Sequence, residues 1–328
     1  MIPIVQERHS LTAQISQHRA FIMGFSILSI MLFHQYYIDI VPFNIFHIFG
    51  YWGVDIFLFL SGMGLVNSLK KNTLKNYYKR RFVRLAPSCI LCGSIKYAIF
   101  ITFGSSLIVL KESLHLGIWS IASLDLWFIH TIIILYLISP LLYKALSKCP
   151  YATSMVILWI FIISELTIRS EVGFNWMTPT GVTAWTIERL LVFCAGMMVS
   201  VKQWEIGRKI SLSLVFLLLG ITLVLLSKIH ISFNGTCACM HLCLTLGMPA
   251  ILFLCIMTLK IVPKPCYKSF VFLGEHSLEL YLVHEFIFWA LKISFEGMNP
   301  YGLFVVSIML SCLAAYGCKL VTNKICHL

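Results

Sequence analysis

His34 and Asp55 are ionisable residues inside two apolar stretches, residues 20–38 and 50–69, each long enough to cross a bilayer as a helix. Charge is costly in hydrocarbon, so groups held there mark substrate paths or chemistry. With a rise of about 1.5 Å per residue, His34 lies about 21 Å up a hydrocarbon core of about 30 Å, counted from the inner end of its stretch. Asp55 enters from the outer side and reaches about 22 Å by the same count. Consecutive spans joined by a short loop usually pack as antiparallel neighbours, so the two side chains are expected to touch. A carboxylate beside an imidazole fixes its tautomer and makes it a better base. The plainer reading is a polar pair that glues two helices together.

Other polar groups collect at similar depth. His130 lies six residues below the outer end of residues 124–142, and His284 with Glu285 lies about 14 residues up residues 270–290. A lone histidine such as His130 is more often a satisfied interhelical hydrogen bond than a catalyst. A basic run, Lys70, Lys71, Lys75, Lys79, Arg80, Arg81 and Arg84, follows the second stretch directly. Arg80 and Arg84 are four apart, so on a helix they share a face and can clamp a phosphate or pyrophosphate with paired donors. The competing readings are a topology anchor and a contact with anionic lipid.

The elements that must hold these groups are set by composition. A mean hydropathy of +0.89, 59% hydrophobic residues and 12% charged residues exclude a soluble domain, whose surface must be wetted. Ten segments are apolar enough to span: residues 20–38, 50–69, 87–110, 124–142, 151–168, 185–201, 210–227, 240–261, 270–290 and 301–318. With the N-terminus inside, 19 of the 25 Lys and Arg fall on the inner side, and Lys96 and Arg189 fall within spans. Both termini are therefore expected in the cytoplasm. The same bias accounts for the net charge of +12 without nucleic acid as a partner. A polar stretch of about 19 residues before the first apolar run argues against a signal peptide. One integral-membrane domain over residues 1–328, with no appended soluble domain, is expected.

Twelve cysteines lie mostly inside spans, where a thiol behaves as a small apolar group. Cys89 and Cys92 have CxxC spacing but follow Pro87 at the start of an apolar helix, which favours packing over a redox pair. Cys237, Cys239, His241 and Cys243 resemble metal ligands on paper. Alternate residues on a helix point about 200° apart, so no metal site is expected there. Asn234-Gly235-Thr236 is a glycosylation sequon on the outer side.

Several segments together resemble the membrane-bound acyltransferase-3 family. They are Met23 to His34 (MGFSILSIMLFH), Gly53 to Gly62 (GVDIFLFLSG), Tyr78 to Pro87 (YKRRFVRLAP), Leu126-Trp127-Phe128 running to Tyr136, and Ser139-Pro140-Leu141-Leu142. Arg189 to Gly196 (RLLVFCAG) and Leu273 to His284 (LGEHSLELYLVH) complete the series. No single segment is specific, but the ordered set from about residue 20 to 290 is. The resemblance implies an all-α polytopic enzyme that moves an acyl group, usually acetyl from cytoplasmic acetyl-CoA, to a hydroxyl of a cell-envelope polysaccharide, lipopolysaccharide or other glycolipid. It would sit in the lipid bilayer of a bacterial inner membrane, with acyl-CoA as co-substrate and no bound cofactor.

By the same resemblance, Arg80 and Arg84 would hold the phosphates of CoA, and the pantetheine arm would rise toward His34. His34 would act as general base on the acceptor hydroxyl or carry the acyl group as an acyl-imidazole, with Asp55 orienting it. Trp127, His130, Arg189, Tyr281 and His284 would line the cavity on the acceptor side. One departure stands out. The family signature places a basic residue ten positions before the histidine, and this chain has Met23 there. Arg19 lies one turn further toward the cytoplasm and is the candidate substitute. Two other readings stay open: a transporter or flippase for an envelope intermediate, and a degenerate relative without activity.

Overall fold

In a computed structural model, the described residues are 11–37, 50, 52–103, 126–167, 179–203, 208–228, 236–259, 261–295 and 297–326. They are all-helical: twelve α-helices and one 3-10 turn, with no strand. In chain order these are α1 (Leu11–Gln17), α2 (Arg19–Phe33), a 3-10 turn (His34–Tyr37), α3 (Trp52–Lys71), α4 (Leu74–Phe103), α5 (Trp127–Lys148) and α6 (Pro150–Thr167). There follow α7 (Pro179–Lys202), α8 (Arg208–Lys228), α9 (Thr236–Thr258), α10 (Lys264–Glu275), α11 (Ser277–Ser294) and α12 (Pro300–Cys326). The sequon residues Asn234 and Gly235 lie outside the described residues.

Among the described residues, eight helices are each long and apolar enough to cross a membrane. The pair α1 and α2, bent by 72° at its break, makes a ninth if it is one span. The stretch 270–290, read from sequence as a single span, is carried by two helices that meet at His276. His276 leaves helical geometry (φ −106°, ψ 14°), and its Nδ1 donates to the carbonyl of Phe272 at 2.8 Å. Beyond the break, α11 carries Glu279, Glu285 and Lys292 on 18 residues, more charge than a plain span holds.

The helices group into two compact units. The first comprises residues 1–22, 55–72 and 138–267. Here α3 and α7 cross backbone to backbone. A Cβ at Gly62 would run into the carbonyl of Phe193, and one at Gly196 into the carbonyl of Phe59. With no hydrophobic gain from leaving lipid, membrane helices associate through such close small-residue contacts. α8 and α9 pack in the same way, with Gly247 against the Leu217 backbone and Gly220 against Leu244. Beside Pro249, the Ser213 hydroxyl bridges an opened turn of α9, donating to Leu246 O (2.7 Å) and accepting from Ala250 N (3.1 Å).

The second unit comprises residues 23–54, 73–137 and 268–328, and its centre is α11 packed on both α4 and α12. Basic residues 75–84 are not a loop: α4 runs unbroken from Leu74 through Pro87 to Phe103. Ser88, Cys92 and Lys96 recur every four residues on its buried face, and the Lys96 ammonium lies 4.8 Å from the Phe286 ring of α11. A proline inside a helix removes the N–H that would serve the carbonyl four residues earlier. Two such carbonyls, opened by Pro140 and Pro87, find side chains. Tyr77 Oη donates to Tyr136 O (3.2 Å), left open by Pro140, and Tyr78 Oη donates to the adjacent Leu137 O (2.9 Å). Cys326 Sγ donates to Val83 O (3.5 Å), left open by Pro87.

Candidate active site

In the second unit, four helices line a pocket of about 580 Å³, α10 through its last residue, the exposed Glu275. α4 contributes Lys79, Arg80, Arg84 and Ser88, the first turn of α11 contributes Glu279, and α12 contributes Lys319. Arg80 and Arg84 fall on one wall because the run that holds them is helical, as their spacing requires. Arg81, one residue away, is turned off this face and lies over the rings of Tyr77 and Tyr136, 5.8 Å from each. Four cations on one pocket suit phosphate groups. One buried carboxylate lies among them: Glu279 accepts a 2.7 Å hydrogen bond from Ser88 Oγ. Nothing in the spacing of the sequence pairs Ser88 with a residue 191 positions away; a carboxylate in an apolar stretch was the available signal.

From Glu279, α11 continues to His284, five residues or about 7.5 Å along the axis. His284 is buried, and its Nε2 lies 3.0 Å from Nδ1 of His34, at the point where α2 passes into the 3-10 turn. Nδ1 of His34 also lies 3.1 Å from Ile30 O, and Nδ1 of His284 lies 2.8 Å from Leu280 O. Rings extend away from this pair. The Tyr281 ring is 6.2 Å from His284 and 4.8 Å from Phe128, and Phe128 is 6.2 Å from Trp127. Four rings expected near the chemistry, His34, His284, Tyr281 and Trp127, are thus linked by successive ring contacts, with Phe128 between the last two. His130 lies one turn further along α5, half-buried.

In the first unit, Asp55 and Arg189 form a buried ion pair, Oδ1 to Nη1 at 2.7 Å. Each lies seven residues, two turns, before the glycine of its own helix at the α3–α7 crossing (62 − 55 and 196 − 189). The close crossing therefore fixes the relative depth of both. The preceding residue on α7, Glu188, is 3.5 Å from His241 of α9 and also buried. Sequence reading weighed His241 only as a metal ligand; its carboxylate neighbour comes from another helix, 53 residues away. Arg19 donates to Leu60 O at 2.7 Å and lies across Gly64, where the missing side chain leaves room for the guanidinium. Asp55 was expected to orient His34. The structure pairs Asp55 with Arg189, and the contacts of the His34 ring include Ile30 O and His284.

A family model described as an acyltransferase domain matches residues 21–320, nearly the whole chain. The chain belongs to the acyltransferase-3 family. No curated protein and no solved structure matches it. As an acyltransferase-3 member it is a membrane-embedded acyltransferase that works between an acyl donor and an acceptor. Within the acyltransferase-3 match fall all of the site residues above except Arg19.

Proposed function

We propose that this protein transfers an acyl group, acetyl in the simplest case, from acyl-CoA to a hydroxyl of a cell-envelope polysaccharide or glycolipid. One observation carries the reading: a single helix, α11, lines the four-cation pocket with Glu279 in its first turn and presents His284 to His34 five residues later. The pocket suits the phosphates of CoA, with Arg80 and Arg84 as the principal donors. A thioester on a long flexible arm anchored there would reach the histidine pair along α11. His34 serves as general base, or carries the acyl group briefly as an acyl-imidazole. The half-buried Trp127 ring, backed by the buried rings of Phe128 and Tyr281, gives a sugar a surface to stack on, so the acceptor is assigned to that side, with His130 nearby.

Asp55 and Arg189 enter as a pair, since neutralising either strands a buried charge on the other. Arg19, at the position nearest the family's missing basic residue, is assigned to the donor side. The proposed setting is the bacterial inner membrane, with acetyl-CoA on its cytoplasmic face as co-substrate and no resident cofactor. Membranes containing the protein, incubated with acetyl-labelled acetyl-CoA, should transfer label to surface glycan, and the product should vanish from a deletion strain and return on complementation, read by mass spectrometry. Unchanged glycan acylation in the deletion strain would overturn the proposed acceptor.

A further inference from the structure

We propose that His284 is a positioning residue that locks the His34 imidazole in the tautomer protonated at Nδ1, leaving Nε2 as the nitrogen that does the chemistry. The inference rests on the acyl-transfer reading for its consequence, but on hydrogen-bond logic for its content. A carbonyl oxygen only accepts, so the 2.8 Å contact of His284 Nδ1 with Leu280 O places a proton on that nitrogen. In the neutral ring Nε2 is then an acceptor, and it faces Nδ1 of His34 at 3.0 Å. The same His34 nitrogen lies 3.1 Å from Ile30 O, a second group that can only accept. Both contacts are satisfied together when His34 carries its proton on Nδ1. The lone pair of His34 is thereby fixed on Nε2.

The contact is anchored at both ends. Leu280 O holds the ring of His284 from one turn earlier on α11, and Ile30 O holds His34 from one turn earlier on α2. In the reaction, the acceptor oxygen forms a C–O bond to the thioester carbonyl carbon while its proton passes to Nε2 of His34. The C–S bond then breaks, and the leaving thiolate takes that proton back from Nε2. Protons balance, and the Nδ1 proton never leaves. While His34 is cationic, the lone pair of His284 and the carbonyl of Ile30 face its Nδ1–H and stabilise the charge, the task a carboxylate performs in hydrolase triads.

Two variants separate positioning from packing. His284→Leu keeps the bulk and removes the acceptor; His284→Gln keeps an oxygen acceptor near the position of Nε2. With acetyl-CoA and membranes of the source organism as acceptor, His284→Leu should lower kcat about 100-fold or more while KM for acetyl-CoA stays within about twofold, and His284→Gln should recover most of the loss. A wild-type kcat in His284→Leu, or a His284→Gln enzyme equally inactive though equally stable, overturns the proposal. A second readout needs no turnover. Diethyl pyrocarbonate acylates a ring nitrogen through its lone pair, and peptide mapping follows modification of His34. The rate at His34 should fall several-fold in His284→Leu and recover in His284→Gln; an unchanged or faster rate in His284→Leu overturns the lock. If wild-type protein moves no acyl group, the function proposed above fails while the labelling result still decides the tautomer.

Discussion

At the scale of single residues, the site depends on a few groups whose removal has separable effects. His34→Ala should abolish acyl transfer with the amount of folded protein in the membrane unchanged, because a half-buried ring at the end of α2 contributes little to packing. Near wild-type product from the purified variant would remove His34 from the mechanism. Asp55→Asn should lower both rate and stability, since breaking a buried pair by removing one charge costs about 3–5 kcal/mol. A melting temperature held at the wild-type value would show that Arg189 has another counter-charge. His34 and Asp55 were legible in the sequence because each is an ionisable residue in an apolar stretch. Their partners were not: Arg189 is 134 positions from Asp55 and His284 is 250 from His34. Hydropathy gives the depth of a residue but not the rotation of its helix, and rotation decides which pairs meet.

At the scale of elements, α4 joins a basic run to a buried polar face in one helix. Pro87 read as the start of a span, a position proline favours because its missing N–H costs nothing there. The helix instead continues through it, with Cys326 from α12 supplying the displaced carbonyl's partner. Continuity makes the face shared by Arg80 and Arg84 rigid. Arg80→Ala and Arg84→Ala should therefore each raise KM for acetyl-CoA well above any change in KM for acceptor, in line with the loss of charge-assisted hydrogen bonds of about 1.5–3 kcal/mol. Equal CoA affinity in calorimetric titration would leave the run as a topology anchor only. The division of residues 270–290 at His276 escaped sequence reading for a related reason. Apolar content continues across the break, and only a backbone angle marks it.

At the scale of the whole molecule, the membrane character and helical class follow from composition, and the family from the order of several weak segments. The distribution of Lys and Arg predicts ten spans with both termini cytoplasmic. Reporter fusions after Lys71 and after Lys202 should score inside, and fusions near Asn44 and Asn234 outside; one reversed pair would sink that topology. The departure at Met23 belongs to this scale too. A family signature fixes what kind of reaction a chain performs; where that signature has a basic residue this chain has Met23, and the Arg19 guanidinium lies against the backbone of α3.

The prolines of α4 and α5 carry a consequence for how the sequence is free to drift. Pro140 withholds the N–H that would serve Tyr136 O, and the Tyr77 hydroxyl donates to that part-buried carbonyl instead, so losing it costs up to about 1–3 kcal/mol. At Pro87 the corresponding contact, Cys326 Sγ to Val83 O, is exposed, so that pair is freer to vary. Pro140 and the Tyr77 hydroxyl therefore form one heritable unit. Among homologous chains, loss of the proline should release the donor position to vary, whereas loss of the donor alone should be rare. An alignment in which Tyr77 and Pro140 change independently would dissolve that coupling.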